Sequence, residues 1–222
     1  MEAIVKIQKI QEVTHNVLQI RADKPEVLDF TPGQATEVAI NQPDWREEGR
    51  PFTFTSLPED PFIEFTIKTY TDHEGVTNEL RKLDVGNELI LKDVFGAIHY
   101  EGPGVFIAGG AGVTPFISIF KFLEKQGDIS GNRLLFANKT HEDIILKSYF
   151  DTLLGQDFIN VLSDEKYGDY ASGYIDAELL SRYINIARDR VYLCGPEAMM
   201  ESVEAALGSI GFPRDRLIRE DF

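Results

Sequence analysis

VFIAGGAGVTPFISI, residues 105–119, is the stretch that decides how this chain is read. It runs apolar up to Gly109, turns through Gly110, Ala111 and Gly112, and resumes as a second apolar run opened by Pro115. The pattern predicts a strand, a tight glycine turn and a helix start. Glycine lets the backbone turn sharply and approach a ligand closely. Proline suits the first helical turn, where the amide proton it lacks would be unpaired anyway. Such a turn aims bare amides and the positive end of a helix at one spot, which favours a phosphate or an electron-rich ring. A glycine turn of this kind can also be a mere connection, so the rest of the chain has to decide.

Downstream, strand-like segments at Val105–Ala108, Arg133–Asn138, Phe158–Leu162, Arg190–Leu193 and Leu217–Arg219 alternate with helix-like ones. The helices are expected at Pro115–Lys125, Ile145–Leu154, Asp176–Tyr183 and Glu197–Ile210. Strands alternating with helices predict a doubly wound parallel sheet, with ligands outside the carboxyl ends of its strands.

Upstream, the pattern changes. Ile4–Ile10, Val17–Ala22, Ala35–Ile40, Pro51–Ser56, Phe62–Tyr70 and Glu88–Val94 carry short strand-like patterns, with turns at Thr31-Pro32-Gly33 and Gly96. A short helix is expected over Thr77–Leu83. Many short strands with turn signals predict a closed antiparallel β-barrel. The break at EGPG, residues 101–104, divides the chain into a barrel over 1–101 and an α/β unit over 102–222.

Composition narrows the function. The 222 residues are long enough for one large or two small domains, and 43% hydrophobic with 27% charged content is ordinary for a globular protein. With 22 basic and 37 acidic residues the net charge is −15, which argues against nucleic acid and anionic membrane as main partners. The single cysteine, Cys194, leaves no internal disulfide and no four-cysteine cluster within this chain. No apolar run is long enough to span a membrane, and the first residues lack a secretory core. A cytoplasmic setting is therefore expected. His15, His73, His99 and His141 are scattered, so no metal site is expected.

Three further constellations carry chemistry. In RPFTFTS, residues 50–56, an arginine at the mouth of a strand can clamp a phosphate, Phe52 can offer a flat face, and Thr53 can reach a ring nitrogen. Read blandly, it is a strand with one surface arginine. In GVTNEL, residues 75–80, Thr77 is a reasonable helix cap and the following amides can hold a phosphate; an ordinary capped helix is the alternative. In CGP, residues 194–196, a thiol at a strand end faces the same crevice as the glycine turn, or is simply a buried cysteine. The end of the chain, Glu220-Asp221-Phe222, is either a frayed tail or an aromatic that packs on something flat.

Together these segments resemble the ferredoxin–NADP reductase superfamily over nearly the whole chain. FTPGQ (30–34) and VFGAI (94–98) look like its barrel turns, RPFT and GVTNEL like its two flavin motifs, and GGAGVTP and YLCGP like its two nicotinamide-side motifs. The order matches too.

The resemblance implies FAD, because GVTNEL is closer to the FAD-type than the FMN-type members, and NADH or NADPH as coenzyme. It implies that Arg50 holds the flavin pyrophosphate, that Phe52 stacks on the ring with Thr53 near its reactive nitrogen, and that Val76, Thr77 and Asn78 hold phosphate and ribitol. Pro51, Lys68, Tyr70, Gly75 and Pro115 join the cofactor-binding set. Gly110, Gly112 and Thr114 would cradle the dinucleotide and nicotinamide, with Cys194 near the nicotinamide's reactive carbon and Gly195 and Pro196 shaping the turn. Phe222 would cover the other flavin face and move aside for the nicotinamide, with Glu220 two positions before it.

Two departures bear on chemistry. Phe52 stands where tyrosine is commoner, and Ser163-Asp164 stands where NADPH-using members often carry Ser-Arg. Asp164 would repel a 2′-phosphate and accept from the ribose hydroxyls of NADH, although Lys166 and Tyr167 lie close enough to compensate.

The implied activity is hydride transfer from NAD(P)H to FAD, then single electrons to a separate carrier such as flavodoxin or ferredoxin. The alternative is a diaphorase-type reductase for small acceptors. A nucleotide-binding sensor without activity is a third reading, which the intact nicotinamide-side motifs do not favour.

Overall fold

The structure is a computed structural model and describes residues 2–70 and 74–220. Six strands build the first sheet: β1 (Ala3–Thr14), β2 (Val17–Asp23), β3 (Ala35–Ile40), β4 (Arg50–Thr53), β5 (Phe62–Lys68) and β6 (Glu88–Phe95). Their order is β4-β3-β6-β1-β2-β5, and every pairing is antiparallel.

The sheet closes on itself just past β4. Phe54 bridges Phe65 of β5, and the Thr55 amide donates to the Glu64 carbonyl at 2.7 Å. The period-2 alternation of β5 turns Ile63, Phe65 and Ile67 into the barrel, where all are buried. Phe54 lies between Phe65 and Phe30, with the Phe30 ring stacked on it at 4.1 Å. The barrel mouth is plugged by α1 (Val76–Glu79) and a single 3₁₀ turn, Leu80–Lys82, which bury Val76 and Leu80 in the core.

The second sheet takes β7 (Gly104–Gly109), β8 (Arg133–Asn138), β9 (Phe158–Leu162), β10 (Ala171–Ser172), β11 (Arg190–Cys194) and β12 (Leu217–Arg219), in the order β10-β9-β8-β7-β11-β12. All its pairings are parallel. Four helices cover it: α2 (Thr114–Gln126), α3 (Lys147–Leu154), α4 (Ala177–Tyr183) and α5 (Glu197–Ser209). Every residue of β7 is buried, because both faces are covered. One face packs Phe106 with Phe116 and Phe120 of α2 and Phe150 of α3; the other packs Val105 and Ile107 with Leu180 of α4 and Val203 and Leu207 of α5.

The chain moves outward from β7 to β10, then returns to the other side of β7 as β11. The reversal falls between the ends of β7 and β11, where Ala108 pairs with Cys194. Among the described residues no helix is long and apolar enough to cross a membrane.

The connection at residues 101–104 is pinned by Tyr192. Its hydroxyl accepts from the Glu101 amide at 2.9 Å and donates to the Gly102 carbonyl at 2.7 Å, and its ring stacks on Phe106 and Tyr100. Burial pushes that phenol up to about 12.

Local differences from the sequence expectation have simple causes. The strand expected over Pro51–Ser56 ends as β4 at Thr53, because residues 54–56 cross over to pair with β5. The helix expected over Thr77–Leu83 is α-helical for one turn only, and α3 starts at Lys147 rather than Ile145, after Leu146 takes a left-handed conformation. β10 has two residues, too short to show a period.

Candidate functional site

The reversal point of the second sheet opens onto the barrel across a cleft of about 520 Å³. The barrel wall is Arg50, Pro51, Phe52 and Thr53 of β4, together with Thr66 and Lys68 of β5, Tyr70 and Thr77. The facing wall is Gly110, Gly112, Thr114 and Pro115 from the turn into α2, and Cys194, Gly195 and Pro196 from the turn after β11. Glu220 closes one end. Four motifs that lie far apart in the chain therefore share one space, as does the last described residue.

Each side chain arrives there for a local reason. β4 is a short edge strand, so Arg50 stays exposed, with its guanidinium 3.7 Å from Glu48 and donating to the Gly49 carbonyl at 2.8 Å. Phe52 is half-buried, its ring tilted at 56° to that of Phe65 with 6.5 Å between ring centres. The glycine turn forms one turn of 3₁₀ helix over Gly110–Val113 before α2, and Thr114 Oγ1 donates back to the Ala111 carbonyl at 3.0 Å.

Cys194 is buried and also lines the cleft wall. Burial, with the Glu220 carboxylate adding to it, pushes the thiol up to about 12. Burial thus favours the neutral form of the Cys194 thiol. The Glu220 carboxylate accepts from the Ala97 amide at 3.1 Å and the Ile98 amide at 3.3 Å, which ties the end of the second sheet to the barrel turn.

A second cleft of about 500 Å³ continues from the first over the carboxyl ends of β8 and β9. Lys68, Gly109, Gly110 and Pro196 border both. Lys68 also reaches Asp143, at 3.7 Å. Ser163 lines the second cleft; Asp164 does not, and its carboxylate accepts from Ser163 Oγ at 2.5 Å on the exposed side.

Three other expected site residues are placed differently. Val76 is in the barrel core, so only its backbone can face a ligand. Gly75 and Asn78 do not line the cleft, although Thr77 between them does. Phe222 and His73 lie outside the described residues.

Sequence reading missed Asn138, Lys139 and Tyr174 on the second cleft. Tyr174 is 81% exposed at its rim, a ring directly after Gly173 and two residues beyond β10. An aromatic just before the Asp176 helix cap was the available signal.

Two observations fit these clefts to bound nucleotides. A Cβ on Gly110 would meet no atom within 4 Å, so this residue, at φ +51°, leaves open space at the junction of the two clefts. Asn138 is buried on the second cleft with neither amide atom paired, and a buried amide normally has a partner.

Comparison with known proteins agrees with the geometry. Residues 2–114 match the FAD-binding domain family and residues 106–205 the oxidoreductase NAD-binding domain. The chain is 27% identical over 226 residues to NADH-cytochrome b5 reductase 1 of Pyricularia oryzae, covering 92% of this chain and 73% of that protein. It is 27% identical over 237 residues to the reductase component of propane 2-monooxygenase from Rhodococcus jostii, covering 98% of this chain and 62% of that protein.

Among solved structures, a ferredoxin NADP+ reductase from Neisseria gonorrhoeae with bound FAD and NADP superposes with a TM-score of 0.86 at 18% identity, covering 99% of this chain and 97% of that one. The cytochrome b5 reductase domain of Ulva prolifera nitrate reductase gives 0.86 at 23% identity, covering 99% and 97%. These two share the fold. With a FAD-binding barrel and a nicotinamide-nucleotide domain meeting at one cleft, the chain belongs to the ferredoxin–NADP reductase superfamily and is an NAD(P)H-dependent flavoprotein reductase.

Proposed function

We propose that this chain takes reducing equivalents from NADH and delivers them as single electrons to a separate protein carrier. The observation that carries the reading is the shared cleft: Arg50 and Phe52 on one wall face Gly112 and Cys194 on the other. A flavin bound there would supply hydride acceptance from the nicotinamide and release of single electrons. The protein's own work is placement. Arg50 offers two donors at the open mouth for a diphosphate, Phe52 offers a ring face, and Thr53 offers a hydroxyl to the reactive edge. Thr77 and the amides after it complete the flavin side. Gly110, Gly112 and Thr114 leave backbone exposed for the coenzyme, and Cys194, Gly195 and Pro196 bound the nicotinamide end. Glu220 ties the segment after β12 to the barrel turn beside them. Residues 1–101 form the flavin unit and 102–222 the coenzyme unit in this proposal, supported by the placement of β1–β6 and β7–β12 in separate sheets.

The neighbourhood of the second cleft favours NADH. Asp164, outside the cleft but bonded to Ser163 on it, adds negative charge near where a 2′-phosphate would sit, and like charges repel. Lys68 and Lys139 on the same cleft are the countervailing cations. Tyr174 offers an open ring face for the adenine.

A carrier protein is supported by the relatives: one is named a cytochrome b5 reductase and others are reductase components of oxygenase systems. Flavodoxin or ferredoxin is the carrier first expected; the net charge of −15 disfavours a strongly acidic one. Reduction of small acceptors is the second reading. A cytoplasmic setting is part of the proposal.

The test is anaerobic titration of the FAD-loaded protein with NADH or NADPH, followed by candidate carriers. NADH should bleach the flavin at lower concentration than NADPH, and a haem or iron–sulfur carrier should restore the colour. Bleaching by neither coenzyme refutes the reading; recovery only with small dyes selects the second one.

A further inference from the structure

β5 presents Glu64, Thr66 and Lys68 on the face away from the barrel core, at the two-residue spacing of a strand. Lys68 and Thr66 line the cleft. Glu64 does something different. Its carboxylate is fully buried, yet it faces the second sheet's helix rather than solvent.

Lys121 Nζ of α2 donates to Glu64 Oε1 at 2.9 Å and to the Thr55 carbonyl at 2.6 Å, and Arg21 Nε of β2 donates to Glu64 Oε2 at 2.7 Å. Thr55 Oγ1 stands 3.3 Å from Oε1 and 3.1 Å from Thr66 Oγ1. A buried carboxylate is tolerated only when paired and hydrogen-bonded this fully.

We propose that Glu64 is a positioning residue: by gripping Lys121, it fixes how closely α2 and its glycine turn bring the coenzyme to the flavin. This rests on the flavin reduction proposed above. α2 starts at Thr114, on the cleft wall, so a grip seven residues along the same helix lies only about 10 Å from the turn. On the barrel side the Thr55–Thr66 contact carries the same carboxylate to the opposite wall. Glu64 thus joins the two surfaces whose separation governs transfer, and small misplacement of reacting atoms is costly in rate.

Ser118, Lys121 and Lys125 share one face of α2 and all touch the barrel segment: Ser118 Oγ accepts from the Gly33 amide at 2.9 Å, and Lys125 pairs with Glu59 at 2.6 Å. The Lys125 pair is exposed, so it contributes little and serves as the control.

The experiment uses the full chain loaded with FAD and compares Glu64→Gln, Lys121→Met, Lys121→Arg and Lys125→Gln by anaerobic stopped-flow with saturating coenzyme. Flavin content, coenzyme dissociation constant and the long-wavelength absorbance of the coenzyme–flavin contact are recorded for each. Glu64→Gln and Lys121→Met should keep FAD and hold coenzyme affinity within about twofold, while the limiting reduction rate falls at least about tenfold and the contact absorbance weakens. Lys121→Arg should recover most of the rate, and Lys125→Gln should match the parent.

Rates within about twofold of the parent in both variants overturn the proposal, as does a loss that only tracks lost FAD. If Glu64→Gln does not fold, Lys121→Met decides alone, since that side chain is partly exposed. Failure of the unaltered protein to be reduced by either coenzyme sinks the functional reading instead, and this inference with it.

Discussion

A side-chain carbon on Gly112 would stand 2.2 Å from the carbonyl oxygen of Cys194. The glycine turn after β7 and the turn after β11 are thus pressed together, backbone on backbone, at the point where the sheet reverses direction. Neither turn can retreat, because β7 and β11 are hydrogen-bonded neighbours. Gly112→Ala should therefore push the two turns apart, lower stability by about 1–3 kcal/mol and abolish coenzyme-driven flavin reduction while FAD is retained. A thermal melt together with anaerobic bleaching checks it; a variant that bleaches at the parental rate contradicts this account of the turn.

Glu220 holds the amides of Ala97 and Ile98 across the seam between the two sheets. Truncation to alanine leaves those donors without their carboxylate and should cost about 1 kcal/mol, read as a lower denaturation midpoint. Glu220→Gln keeps one acceptor oxygen and should lose less. Equal midpoints for all three proteins would show that the contact is not holding the seam.

Cys194 stays protonated because burial, then the Glu220 carboxylate, raises it to about 12. The limiting rate of flavin reduction should then show no thiol inflection from about pH 6 to about pH 10. Cys194→Ala should slow reduction by removing a cleft-wall contact, with FAD content unchanged. An inflection near the free-thiol range, about pH 8.5, that vanishes in the alanine variant would overturn the neutral-thiol assignment.

Asp143 pairs with Lys68 at 3.7 Å and lies 3.9 Å from His15. Burial opposes its ionisation, but hydrogen bonds from the Thr140 hydroxyl and amide and the charges of Lys68 and His15 outweigh it, and its acidity is shifted below the ordinary aspartate value. A carboxylate with a lowered folded-state value stabilises the protein above its unfolded value, about 3.9, and that contribution fades as pH falls through the lower folded value. The unaltered protein should therefore lose stability on acidification below about pH 4 more steeply than Asp143→Asn, which is already weaker at neutral pH. Urea midpoints across the acid range measure the difference; parallel curves would remove Asp143 from the acid response.

Tyr174 is an open ring at the rim of the second cleft. Tyr174→Ala should raise the coenzyme KM several-fold and leave kcat nearly unchanged, since the ring is far from any reacting atom in this reading. A fall in kcat at unchanged KM would contradict the adenine seat.

The chain's own residues determined the local elements. Alternation in FIEFTIK and the apolar–glycine–proline order of residues 105–119 are enough to write a strand there and a strand–turn–helix here, because backbone preference and side-chain periodicity act over a few residues. They also determined the two-unit architecture, since one half is mostly short strands and the other alternates strands with helices. Tertiary structure alone decided what meets what. Arg50 and Gly112 share one cleft because Phe54 closes the barrel on Phe65 and α2 lies against Thr55 and Glu64. In sequence Glu64 reads as a solvent-facing charge on a half-buried strand; it is fully buried because a helix 57 residues further on covers it. Asn138, Lys139 and Tyr174 gain meaning only when β8, β9 and the two-residue β10 align their carboxyl ends. Contacts between distant segments depend on packing of the whole, and no local pattern encodes them.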